Sequence, residues 1–186
     1  MKRIIYAIAL LVVGLPLLNS CSKDDSYKDV WEDYRDWRNE NLTWLAEQET
    51  VIDDKTGEPF YTKVVAPWNP GSYVLFHRFN DPAETAGNLT PMLTSTVTVT
   101  YQLHLYNGEL ADDSKGLKGG VLTSQLSSLI SGWHIAMSQM HVGDTVQVVV
   151  PYTEGYGAQS SGNVLPYSVL RFNIKLKDIP HYETRP

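Results

Sequence analysis

The feature that most restricts what this chain can fold into is one amphipathic helical pattern followed directly by a β-branched strand. In residues 129–140, Leu129, Ile130, Trp133, Ala136, Met137 and Met140 recur at helical spacing, so one face is apolar and has to be covered. Gly143-Asp144 supplies a turn, and Thr145-Val146-Gln147-Val148-Val149-Val150 reads as a strand closed by Pro151. Upstream, residues 94–106 alternate, with Val97, Val99, Tyr101, Leu103 and Leu105 on one face and Thr96, Thr98, Thr100, Gln102 and His104 on the other. Residues 169–176 alternate again. A single helix between strands of this kind implies an α+β fold, an antiparallel sheet with the helix lying across it. On periodicity alone, Trp133 is the largest residue of that core.

The remaining segments fit around this unit. Asn107-Gly108 is a tight-turn signal, residues 115–120 and 152–165 are glycine-rich loops, and residues 60–65 and 72–79 are further strand candidates. Pro67, Pro70 and Gly71 break the chain, which places a domain boundary near Pro70. Before it, residues 26–49 carry Tyr27, Val30, Trp31, Tyr34 and Trp37 on one helical stripe opposite Lys28, Glu32, Asp33, Arg35, Asp36 and Arg38. That stripe either packs on the adjoining domain or offers a surface to a partner.

At 186 residues the chain has room for one well-cored domain and an appendage. Its formal charge is −6, and losing the two cations of residues 1–20 would take it to −8, which disfavours nucleic acid as a partner. Cys21 is the only cysteine, so no internal disulfide or thiolate metal cluster is possible. The five histidines lack metal-ligand spacing, and no cofactor is expected. Asp112-Asp113 reads as adjacent loop acids pointing apart, with no partner nucleophile.

Met1-Lys2-Arg3 followed by the apolar run 4–18 reads as an export signal. Leu18-Asn19-Ser20-Cys21 resembles the lipobox of bacterial lipoproteins, in which cleavage precedes an acylated cysteine, here Cys21. Ser22-Lys23-Asp24-Asp25 resembles the export signal of Bacteroides-type surface lipoproteins, or is a hydrophilic tether. The resemblance implies an outer-membrane lipoprotein of the cell envelope, periplasmic or surface-exposed, attached through its lipid anchor.

Tyr101, Asn107-Gly108, Asp112, Ser114, Ile130-Ser131-Gly132-Trp133, Met140-His141-Val142-Gly143, Pro151, Tyr156-Gly157, Pro166 and Leu170-Arg171-Phe172 follow one another in an order that resembles the FKBP-type peptidyl-prolyl cis-trans isomerases. The resemblance runs from about Tyr73 to Ile179 and implies an FKBP-like sheet curled around one short helix, preceded by the amphipathic helix. It implies catalytic positions at Tyr101, Asp112, Ile130, Trp133, Tyr156 and Phe172, with Leu129 and either Val164 or Leu165 adjacent, and Trp133 as the floor of a proline pocket. Proline-containing polypeptides would be the substrates, or clients if the fold binds without useful turnover. The implied organisation is a signal peptide at 1–20, a lipidated tether and helical extension at 21–71, the isomerase domain at 72–180 and a tail at 181–186. The chain departs from the family's pattern in having Ala111 where an aromatic usually precedes the aspartate, and Gly119-Gly120-Val121-Leu122 where another aromatic is expected. The loop before Pro166 is one residue short. These departures imply a pocket more open on that side.

Overall fold

A computed structural model of the protein describes residues 30–183. Seven strands make one antiparallel sheet: β1 (Thr62–Ala66), β2 (Asn69–Arg78), β3 (Thr96–His104), β4 (Leu110–Asp113), β5 (Leu122–Gln125), β6 (Thr145–Val150) and β7 (Leu170–His181). The order is β1-β2-β6-β7-β3-β4, and β5 pairs with the same edge of β3 as β4 does. The helices are α1 (Val30–Asp33), α2 (Arg35–Gln48), α3 (Pro82–Thr85) and α4 (Ser131–Met137). The antiparallel sheet around one short central helix is the architecture expected from the alternating strands and the lone helix.

Both faces of the sheet are covered. Val97, Val99, Leu103, Val146, Val148, Ile174 and Leu176 bury against α4, while Leu75, Val149 and Val169 pack with Tyr61 and with Leu45 of α2 on the other side. Because successive residues of a strand point to opposite faces, a strand covered on both sides can be apolar throughout. This is why Val148, Val149 and Val150 are all fully buried.

Three sequence expectations change in detail. The central helix is seven residues long rather than spanning 129–140: Leu129 and Ile130 are extended residues ahead of it, and Met140 follows it. Ile135, off the expected stripe, is fully buried, because a short helix seated in a curled sheet is enclosed on more than one side. Its close seat depends on Gly132, where a Cβ would lie 2.4 Å from Val150 Cγ1. Second, residues 109–114 and 121–128, which flank the loop 115–120 and show no strand pattern, contain β4 and β5, two four-residue strands separated by 3-10 turns. Their short, largely polar sequences lack the alternation that marks a strand. Third, the sheet begins at Thr62, upstream of the 71/72 boundary, with Ala66 in its core; Pro70 and Gly71 lie inside β2.

The amphipathic segment expected at 26–49 is interrupted at Tyr34, and α2 lies on the sheet of its own chain rather than standing free. Tyr27, the tetrapeptide 22–25 and Cys21 lie outside the described residues. At the opposite end of β6, buried Asp144 anchors the residues after α4. It accepts from Thr85 Oγ1 (2.5 Å), His141 N (2.8 Å) and Asn80 Nδ2 (3.0 Å), with Arg78 Nε at 3.2 Å. Burial pushes its carboxyl up, but these donors and the guanidinium hold it below the ordinary aspartate value.

Candidate active site

A pocket of ≈160 Å³ opens between α4 and the sheet. Its floor is Trp133, which the close approach of Gly132 to Val150 sets deep in the fold, 3% exposed. Tyr101 comes from β3 and Phe172 from the neighbouring β7, where alternation turns both toward α4. The three rings meet at inclined angles: Tyr101 to Trp133 at 5.6 Å and 80°, Trp133 to Phe172 at 5.3 Å and 86°, Tyr101 to Phe172 at 6.2 Å and 59°. Such pairs place ring edges on ring faces and leave a rigid apolar recess. Leu129 and Ile130, half-buried and extended, form the wall leading into the helix, and Tyr156 closes the opposite wall.

The polar groups sit toward the rim. Asp112 of β4 is exposed and accepts a 2.7 Å hydrogen bond from Tyr101 Oη. Burial, then that bond and the carboxylate's charge, push the Tyr101 phenol well above its ordinary value, so it stays neutral and a donor. The backbone holds Tyr101 in place at the break between β4 and β5, where its N–H donates to Ser114 Oγ at 3.1 Å in place of a strand partner.

Of the residues singled out in the sequence, Tyr101, Asp112, Leu129, Ile130, Trp133, Tyr156 and Phe172 share this pocket. Val164 and Leu165 do not. Val164 is buried beside it, in a second cavity of ≈260 Å³ bounded by Ala111, Leu103 and the tight turn Ser161-Gly162-Asn163-Val164, and Leu165 is 39% exposed. The two cavities share Asp112 and Tyr156 as a common wall, so a second cavity lies beside the pocket on the Ala111 side. Leu122 and Ser128 also line the pocket and were missed. Leu122 faces inward only because β5 pairs with β3, opposite Val99, and a four-residue polar strand carries no periodic signal. Among the described residues no group of three or more His, Cys, Asp or Glu side chains is placed to hold a metal ion.

Comparison with known proteins agrees with this geometry. The FK506-binding protein 1 of Dictyostelium discoideum is 33% identical over 96 residues, 50% of this chain and 88% of that protein. The outer membrane protein MIP of Legionella longbeachae is 37% identical over 87 residues, 46% of this chain and 37% of that protein. The chain spans about half, or less, of the length of the first curated relatives it matches. A peptidyl-prolyl cis-trans isomerase structure from Pseudomonas syringae superposes with a TM-score of 0.61 at 22% identity, over 78% of this chain and 95% of that one, which shows the shared fold. The family described as FKBP-type peptidyl-prolyl cis-trans isomerase matches residues 87–177. With the greater part of a 33% identical relative covered, the chain belongs to the FKBP-type peptidyl-prolyl cis-trans isomerase family.

Proposed function

We propose that the protein accelerates cis-trans rotation about X-Pro bonds of polypeptides by holding the proline over Trp133. The observation that carries this reading is the set of three rings, Tyr101, Trp133 and Phe172, around a recess whose polar groups lie at its rim. Rotation about a peptide bond faces a barrier of about 18–20 kcal/mol because amide resonance is lost on twisting. A planar amide is charge-separated and a twisted one less so, so an apolar enclosure favours the twisted form over the ground state. Each 1.4 kcal/mol removed from the barrier gives about tenfold in rate. Neutral Tyr101, Asp112 and the rim backbone then serve to orient the peptide, and no nucleophile is required.

The test is proline-peptide isomerisation, whose uncatalysed time is tens to hundreds of seconds. The protein should shorten it severalfold, and Trp133→Ala should abolish the gain. No acceleration by the wild type would sink the catalytic reading.

The cavity beside Ala111 favours a second reading, an FKBP-fold protein that binds or chaperones clients with little turnover. Saturable proline-peptide binding without acceleration would establish it.

The sequence Leu18-Asn19-Ser20-Cys21 supports residues 1–20 as an export signal, with lipidated Cys21 opening a tether and helical extension ahead of the isomerase domain, whose sheet runs from Thr62 to His181. On this reading the protein works at the outer membrane of the cell envelope, in line with the name of the Legionella relative, outer membrane protein MIP. Mass spectrometry of the exported protein should find an acylated N-terminal Cys21, and an unmodified one would overturn the anchor.

A further inference from the structure

One turn of α2 is bonded to both ends of the loop that carries Tyr156. Near the start of that loop, Arg38 Nη2 donates to Tyr152 Oη at 3.2 Å, and its guanidinium lies over the rings of Tyr152 (5.5 Å) and Tyr167 (5.8 Å). At the end of the loop, Trp37 Nε1 donates to Ser168 Oγ at 3.1 Å, and that hydroxyl in turn donates to Leu165 O at 2.7 Å. Asn41, fully buried, accepts from Val169 N at 2.8 Å while its own Nδ2 donates to Trp37 O at 2.8 Å. Burying an amide with both its groups satisfied across two elements fixes their relative position, since either group left unpaired would be costly.

The loop itself needs holding. Tyr167 has φ +63°, among the described residues the only non-glycine in the left-handed region, and its strained conformation persists only where the surroundings enforce it. Its ring is held edge-on to Tyr152 (5.5 Å, 78°) beneath the Arg38 guanidinium, and its N–H donates to Gly157 O at 2.8 Å. Gly157 adjoins Tyr156. An unbroken path of contacts therefore runs from Arg38 through Tyr152 and Tyr167 to the backbone beside the pocket wall.

We infer that Trp37, Arg38 and Asn41 are positioning residues: α2, which precedes the matched family region, clamps the loop 152–169 so that the Tyr156 wall is in place before a peptide arrives. The inference rests on the isomerase reading for its effect on rate, and on geometry alone for the clamp. A wall already ordered spares the peptide the cost of ordering it on binding.

The test compares Arg38→Ala, Arg38→Lys and a control on the same helix, Thr43→Ala, whose exposed side chain lies off the loop. Arg38→Ala should lower kcat/KM by about tenfold, mainly through KM, with Arg38→Lys recovering part of the loss and Thr43→Ala leaving the rate unchanged. Amide exchange should accelerate at Tyr167 and Val169 while Val148 and Ile174 in the sheet keep their protection. Unchanged rates and exchange in Arg38→Ala would overturn the clamp, and so would a rate loss with all amides exchanging faster together, which is general destabilisation. If the wild type proves inactive, the isomerase reading fails separately and exchange decides: local acceleration upholds the clamp, and none overturns it.

Discussion

The two sides of the pocket are built by different means. On one side Tyr101, Trp133 and Phe172 stand on β3, α4 and β7, elements locked by strand ladders and by the fully buried Ile135, Ala136, Met137 and Met140 behind them. On the other, Ala111 and the loop through Tyr156 and Val164 border a second cavity, and the loop is held by side chains of α2 rather than by a ladder. The first side cannot move without disturbing the core. The second hangs on a few side-chain bonds to α2, which substitution can remove without breaking the sheet, so it is where affinity and selectivity are adjustable. This division matches the general pattern in which a rigid scaffold carries the site and loops tune it.

The comparison breaks hardest at the floor. Trp133→Ala should cost about 3–5 kcal/mol of stability together with proline binding, because the same ring serves core and pocket. Denaturant titration beside the isomerisation assay would show it, and a stable but inactive variant would mean that the ring is not structural. Next, Gly132→Ala should cost about 1–3 kcal/mol, since the new methyl meets Val150 Cγ1 at 2.4 Å and has to lift α4. A thermal melt without change would show that α4 is not seated tightly against Val150.

The open side should answer differently. Ala111→Phe should fill part of the ≈260 Å³ cavity and tighten proline-peptide binding by about 1 kcal/mol, with little change in stability. Binding by titration calorimetry measures this, and weaker binding would show that the cavity receives part of the peptide. The smallest effect should come from Asp112→Asn. Burial remains the largest cause of the raised Tyr101 pKa, but losing the carboxylate removes its charge and leaves only a weaker, neutral amide acceptor, so the phenol should titrate closer to 10.0. Because its folded pKa is raised, the associated stability is present below the ordinary tyrosine value and is lost as the pH climbs through the folded one. Ultraviolet titration and alkaline melts should therefore both shift to lower pH in this variant.

Much of the fold was legible because burial on one face imposes a period. The alternation of residues 96–104 and 170–176 and the β-branched run 145–150 each correspond to an observed strand. The helix was found but overextended. Leu129 and Ile130 are apolar at helical spacing, yet they serve the pocket wall from extended backbone, and periodicity cannot tell a core contact from a pocket contact. Leu122 escaped because a four-residue polar strand shows no period, and Val164 could not be told from Leu165 because a tight turn, not composition, decides which of two neighbours turns inward.

The chain by itself determined the antiparallel sheet and the approximate place of its helix, since both depend on local periodicity, while the resemblance of an ordered set of residues singled out Trp133. Only the tertiary structure decided how wide the pocket is, that Ala111 opens onto a second cavity, and that Asn41, an unremarkable amide in a charged helix, is fully buried against the backbone of residue 169. Those features arise from contacts between residues as much as 128 positions apart, and such pairing leaves no trace in any local stretch of sequence.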